Sequence, residues 1–156
     1  MYPIRSILLA TDFSAHSAAA AALACALARD YGARLHVLHV LPLPILYGEG
    51  ISAVPPDDQE ERATAQLEQI GAGLEVGRRL SEGDPATEIL EAARTLPCDL
   101  IVLGTHGRTG LRRLLMGSVS EEVVRKAPCP VLIVKTPHAY AEGAEDTRTE
   151  PAAHAL

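Results

Sequence analysis

Four apolar runs in this 156-residue chain, at 4–10, 34–41, 99–103 and 131–135, are nearly continuous in Ile, Leu and Val instead of alternating with polar residues. A strand can bury both neighbours of every residue only if the sheet is covered on both faces, so runs of this kind suit a parallel sheet between helical layers. The segments between them have helical character. Ala18 to Arg29 is rich in alanine, with Ser14 ahead as a cap and Gly32 behind as a stop. Asp57 or Asp58 opens a second helix to about Ile70, with Ala63, Leu67 and Ile70 on one side. Asp84-Pro85 is a capping residue followed by proline at the first helical position, and Ile89, Leu90, Ala93 and Leu96 give the third helix its stripe before Pro97 closes it. A last helix runs from Ser118 to Ala127.

A fifth strand, third in order, is weaker. Leu74, Val76 and Leu80 alternate, but Arg78 falls in the inward-facing phase, which marks either an edge strand or a mistaken register. Strands and helices alternate along the chain, and the expected fold class is therefore α/β: a doubly wound five-stranded parallel sheet with right-handed crossovers and helices on both faces.

Residues 1–135 form one domain of ordinary size, long enough to bury a core. The connection from Pro42 to Pro56 carries four prolines and two glycines and is long for a compact domain, as functional loops often are. Residues 136–156 hold four acids, one base and no aliphatic side chain larger than alanine before Leu156, so they read as a loose acidic tail. The net charge of −6 falls to −3 without it.

A surface that tracks phosphodiester chains needs a basic excess, and base stacking needs aromatics. With one Phe, four Tyr and no Trp, this chain has neither, which argues against a nucleic-acid partner. No run approaches membrane-spanning length, and the first dozen residues lack a secretory pattern, so the expectation is a cytoplasmic protein. Cys25, Cys98 and Cys129 are odd in number and widely spaced, and buried free thiols are expected rather than a disulfide or zinc site. Gly48 to Ala53 imitates a dinucleotide fingerprint, but prolines stand where its helix should begin; a Walker A sequence and a nucleophile elbow are both absent.

The chemistry-bearing feature is Gly104-Thr105-His106-Gly107, nine further residues, then Gly117-Ser118, placed between the fourth strand and the last helix. Glycines let a ligand approach the backbone, and a helix start offers unpaired N–H groups and a positive dipole end to an anion, here a nucleotide phosphate chain. Arg108, Arg112 and Arg113 can neutralise charge nearby. Asp12, after the first strand, suits a ribose hydroxyl or an adenine edge. Each feature has a plainer reading. Ser118-Val119-Ser120-Glu121 also fits a capping box, and Asp12 also fits a hydrogen bond to the start of the first helix.

These residues resemble the universal stress protein family. The resemblance is carried by Ala10-Thr11-Asp12-Phe13-Ser14, His39-Val40, Glu82-Gly83-Asp84-Pro85, the run from Asp99 to Gly110, Gly117-Ser118-Val119-Ser120, and the run from Cys129 to Lys135. It implies strand order 3-2-1-4-5 in a Rossmann-like fold, and ATP bound with a divalent cation, Mg2+. It also implies that Asp12 and the backbone at Val40 contact adenosine, that Gly104 and Gly107 line the ribose and phosphate path, and that Gly117, Ser118, Val119 and Ser120 hold the phosphates beside Arg108. A homodimer through the fifth strand, Val131 to Lys135, is implied as well, and an exposed edge makes it physically reasonable. The expected role is a nucleotide-dependent stress-response switch. The alternatives are a slow ATPase or self-phosphorylating enzyme using Ser118 or Ser120 with His106 assisting, and a dimeric scaffold that binds no nucleotide.

Overall fold

The run from Ser6 to Ala10 has no polar face, and it takes the position that suits such a run, the centre of a sheet covered on both sides. The computed structural model describes residues 3–41, 43, 58–105 and 116–135. In order these form β1 (Ser6–Ala10), α1 (Ala15–Tyr31), β2 (Arg34–Leu41), α2 (Gln59–Gln69), β3 (Val76–Glu82), α3 (Pro85–Thr95), β4 (Leu100–Gly104), α4 (Ser118–Lys126) and β5 (Val131–Val134). The strands make one parallel sheet of order β3-β2-β1-β4-β5, as the sequence and the resemblance led us to expect. The loop expected from Pro42 to Pro56, Leu43 apart, and the tail expected at 136–156 lie outside the described residues.

Odd positions of β1 face one helical layer and even positions the other. Ile7 and Leu9 pack with Leu35, Val37 and Val102 beneath α1 and α2, while Leu8 packs with Leu38, Ile101 and Leu103 beneath α3 and α4. Ile7, Leu8 and Leu9 are at most 1% exposed. Burial on this scale contributes about 1.5–3 kcal/mol per side chain.

α1 is longer than alanine propensity alone suggests, because both ends are capped. Ser14 accepts from the Ser17 N–H, and Gly32 adopts the left-handed conformation (φ 60°, ψ 33°) that lets Ala33 N–H reach back to the Ala28 carbonyl at 2.8 Å. Its buried face is Ser17, Ala20, Ala24 and Ala28, all small, so the helix backbone comes down close to the sheet. At its start the approach leaves no room for a side chain: a Cβ on Gly104 of β4 would stand 2.9 Å from the His16 carbonyl oxygen and 3.3 Å from the Ser17 nitrogen.

β3 is the edge strand, and the inward phase of Arg78 is real. Arg78 pairs in register with Val37, on the side of α2. Its guanidinium resolves the conflict by hydrogen bonding to the end of α2, donating from Nε to the Leu67 carbonyl at 2.9 Å and from Nη2 to those of Glu68 and Ile70 at 3.3 and 2.8 Å. These carbonyls end a helix that has no basic residue in its last turn, so a side chain from the neighbouring strand supplies the donors and the positive charge.

Asp84 caps α3 as its sequence indicated, accepting from Thr87 N at 2.9 Å and Thr87 Oγ1 at 2.8 Å. These two bonds hold its carboxyl below the ordinary 3.8. A depressed folded pKa means that the cap stabilises the fold above the ordinary value and that this stability is lost as pH falls through the folded one. Asp84→Ala is therefore expected to cost about 1 kcal/mol in urea unfolding at neutral pH, the gap from wild type closing in acid. Gly104→Ala is expected to cost about 1–3 kcal/mol in the same assay at every pH, because the clash is with helix backbone that cannot rotate away.

Candidate functional site

Parallel strands deliver their carboxyl ends to one edge of the sheet, and the crevice there opens where strand order reverses. In this chain the reversal lies between β1 and β4, which are hydrogen-bonded neighbours with Leu9 opposite Val102. The segment after β1, with Asp12, and the segment after β4, with Gly104 and Thr105, therefore leave the sheet side by side.

The first segment is held by its own side chains. Thr11 N–H continues the sheet to the Leu38 carbonyl at 3.0 Å, and Thr11 Oγ1 donates to Ser17 Oγ and accepts from Phe13 N–H. Asp12 Oδ1 accepts from Ser14 N–H at 3.0 Å, so the helix-start reading of this residue describes one of its carboxylate oxygens. Phe13 is forced to φ 61°, a left-handed conformation that costs a bulky residue roughly 1–3 kcal/mol. Its ring lies against His39, centroids 4.4 Å apart. His39 Nδ1 is 2.7 Å from the Thr11 carbonyl oxygen, which can only accept, so this nitrogen carries the proton. Nothing in the sequence pattern marks Phe13 for this conformation.

Beside that turn is a cavity of about 290 Å³ between the ends of β1 and β2 and the first turns of α2. Phe13, His39 and Leu41 form one wall, and Gln59, Arg62 and Gln66 the other. Its size suits a single flat ring system better than a whole nucleotide. Sequence reading missed the α2 wall, since only packing against β2 brings it over the sheet's edge. Val40 stands between His39 and Leu41 in β2 and is not part of the cavity wall; its side chain is buried in the opposite layer. Arg62 pairs with Asp58 one turn earlier, an exposed contact worth at most about 1 kcal/mol. A second cavity, of about 250 Å³, lies under α3 against His36 and Arg79, away from the carboxyl edge.

The second segment is pinned at both ends. Gly117 N–H donates to the Thr105 carbonyl at 2.7 Å, and Ser120 Oγ donates to the Gly104 carbonyl at 2.8 Å, which draws the start of α4 onto the end of β4. The helix begins at Ser118 as expected, but its cap position is Gly117, not Ser118, and it has no side-chain cap. The capping-box reading thus does not describe this fold, and Glu121 instead pairs with Arg125. Gly117 has φ −72° and ψ 157°, an extended conformation open to any residue, so backbone strain does not explain a glycine at a position where Ser, Asn or Asp would cap better. Ser118 is exposed, Val119 half-buried and Ser120 buried. Gly107, Arg108, Arg112, Arg113 and His106 lie outside the described residues. Among the described residues no group of three His, Cys, Asp or Glu could hold a metal ion, and no helix is long and apolar enough to cross a membrane.

The universal stress protein family model matches residues 3–135. A universal stress protein of Thermus aquaticus is 42% identical over 135 residues, covering 84% of this chain and 98% of that protein. Among solved structures, UspA from Lactobacillus plantarum superimposes with a TM-score of 0.72 at 28% identity, covering 84% of this chain and 97% of its own. The universal stress protein from Archaeoglobus fulgidus in complex with dAMP shares the fold at a TM-score of 0.61 and 24% identity, covering 86% of this chain and 100% of its own. With the matching model spanning both the crevice segments and all five strands, the chain belongs to the universal stress protein family.

Proposed function

We propose that this protein binds ATP, with Mg2+, in the crevice between β1 and β4 and acts as a nucleotide-dependent switch in the stress response. The observation that carries the reading is the start of α4: a helix N-terminus without a side-chain cap, preceded by a glycine its backbone does not require, and tied by two hydrogen bonds to the end of a central strand. Such an end presents amides and a positive dipole to an anion. The α4 dipole alone contributes about 0.3–2 kcal/mol, whereas micromolar affinity needs about 8 kcal/mol, so the phosphates and the base must be held together.

Asp12 and the Val40 backbone meet adenosine, with the neighbouring cavity taking the base. Gly104 and Gly107 line the path to the phosphates, which are held by Ser118, Val119 and Ser120 with Arg108 neutralising charge, while Gly117, its own N–H given to the Thr105 carbonyl, lets the phosphates come close to the backbone. Ser120 contributes through its main-chain N–H, since its hydroxyl proton is already given to Gly104. Mg2+ is held by the phosphates themselves. An adenine nucleotide on the same fold in the Archaeoglobus fulgidus protein supports the choice of ligand class. The protein works in the cytoplasm as a homodimer through β5, whose four residues are all partly exposed at the sheet's edge.

Titration calorimetry with ATP, GTP, AMP and cyclic AMP, with and without magnesium, tests this. Micromolar ATP binding to the wild type is expected, weakened at least about tenfold in Gly117→Val with thermal unfolding little changed; tenfold is about 1.4 kcal/mol. Equal ATP affinity in the variant would remove the phosphate assignment, and a wild type that binds none of the four would overturn the reading. Phosphate release in the same samples separates a switch, which retains ATP, from an ATPase.

A further inference from the structure

Two of the three cysteines, far apart in sequence, meet at the end of the sheet opposite the crevice. Cys98 immediately precedes Asp99 and β4, and Cys129 stands between Pro128 and Pro130 just ahead of β5. The two strands are parallel neighbours, with Ile101 opposite Val131, so their amino ends are adjacent. The sulfurs are 3.7 Å apart. Both thiols are half-buried at the rim of the core layer under α3 and α4. Cys25, on α1, lies in the other layer.

From this geometry we infer that Cys98 and Cys129 form a reversible intramolecular disulfide, a dithiol site closed by exchange with a small-molecule disulfide. Widely separated cysteines gave no sign of it in the sequence; the thiols are free as expected there, but half-buried instead of buried. Closing the bond requires the sulfurs to approach from 3.7 Å to about 2.05 Å, within reach of side-chain rotation between adjacent parallel strands.

The backbone on the Cys98 side is fixed. Asp99 accepts from the Arg5 and Ser6 N–H groups at 2.8 and 3.0 Å, which anchors the start of β4 to β1. The Cys98 thiol donates to the Leu100 carbonyl at 3.3 Å. On the other side Pro128 and Pro130 restrict the chain around Cys129, and the Pro130 carbonyl accepts from Ile101 N–H at 3.0 Å. A pair held this way presents one thiol to the other at high effective concentration, which favours an internal bond over a lasting mixed disulfide.

The exchange balances without any further oxidant. Cys129 gives its proton to solvent and its thiolate attacks the small disulfide, forming a mixed disulfide and releasing one thiolate, which takes up a proton. Cys98 then loses its proton and attacks the Cys129 sulfur, the Sγ–Sγ bond forms, and the second small thiolate leaves and is protonated. Two protein thiols are oxidised and one small disulfide is reduced to two thiols. Cys129 attacks first because burial pushes Cys98 up to about 12, while Cys129, also raised by burial, gains from its contact with Cys98. Since both thiols resist ionisation, exchange is slow and is followed to equilibrium over hours.

The test uses the full chain and its Cys25→Ser variant, each equilibrated with excess oxidised glutathione. The expected product loses two hydrogens by intact mass, carries no glutathione at Cys98 or Cys129, yields a peptide joining residues 98 and 129, and returns to the dithiol on reduction. The bond spans a sequence separation of 31, so the oxidised protein is expected to melt about 5–10 °C higher, a shift absent in Cys129→Ser. A stable glutathione adduct on either cysteine, a disulfide between two chains, or two thiols still open to alkylation at equilibrium would each overturn the assignment. None of these outcomes depends on whether the protein binds nucleotide.

Discussion

The fold turns on how closely α1 approaches the sheet. A helix whose inner face is Ser17, Ala20, Ala24 and Ala28 can lie so near the strands that Gly104 faces the His16 backbone with no space for a methyl group. That contact fixes the ends of β1 and β4 relative to each other, and hence the width of the crevice they form. Gly104 is therefore explained by packing before any ligand is considered. Gly117 has an extended backbone open to any residue, at a position where a polar side chain could cap α4. Two glycines of one motif thus sit in different local settings, and on the proposed function it is the second that lies beside the phosphates.

From that contact outward, the site is assembled by short polar ties instead of by apolar burial. Thr11, Ser14 and Ser17 lace the turn after β1, and Thr105 and Ser120 hold the start of α4 against β4. The left-handed Phe13 is tolerated because its ring is seated against His39, itself bonded to the Thr11 carbonyl. Strain at one residue is offset by a network that over-determines its position, and such strain gathers where a surface must keep a particular shape. Arg78 shows the same economy at the sheet's edge, one side chain closing the end of α2 and so steadying the helix that walls the cavity.

Most of the fold was legible in the chain because its signals are local. Unbroken apolar runs, the Ser14 and Asp84 caps and the stop at Gly32 are each decided within a few residues, and strand order followed from resemblance to known sequences. What sequence reading missed is set by tertiary placement. Arg78 looked like an error of register because a strand pattern does not reveal that a helix end lies above it. The capping box at Ser118 looked convincing because its four residues fit, yet Gly117, tied to Thr105, takes the cap position and leaves Ser118 as the first residue of the helix, which breaks the pattern. The α2 wall and the cysteine pair are contacts between segments well separated in the chain, for which spacing carries no information.

α4 joins the two chemically distinct ends of the molecule. Its nine residues span about 13 Å, from the uncapped start at Gly117 to a C-terminus two residues short of Cys129. Val123, fully buried, seats it on the sheet, and the ion pairs Arg125–Glu121 and Lys126–Glu122 run along its outer side. A rod held so firmly transmits position but does not by itself make one end responsive to the other. Coupling between a phosphate at its start and a disulfide at its end requires two arrangements of the segment that the two events favour unequally. The described residues present one arrangement of α4, and on the two proposals this helix is the common support for a phosphate at its start and a disulfide beyond its end.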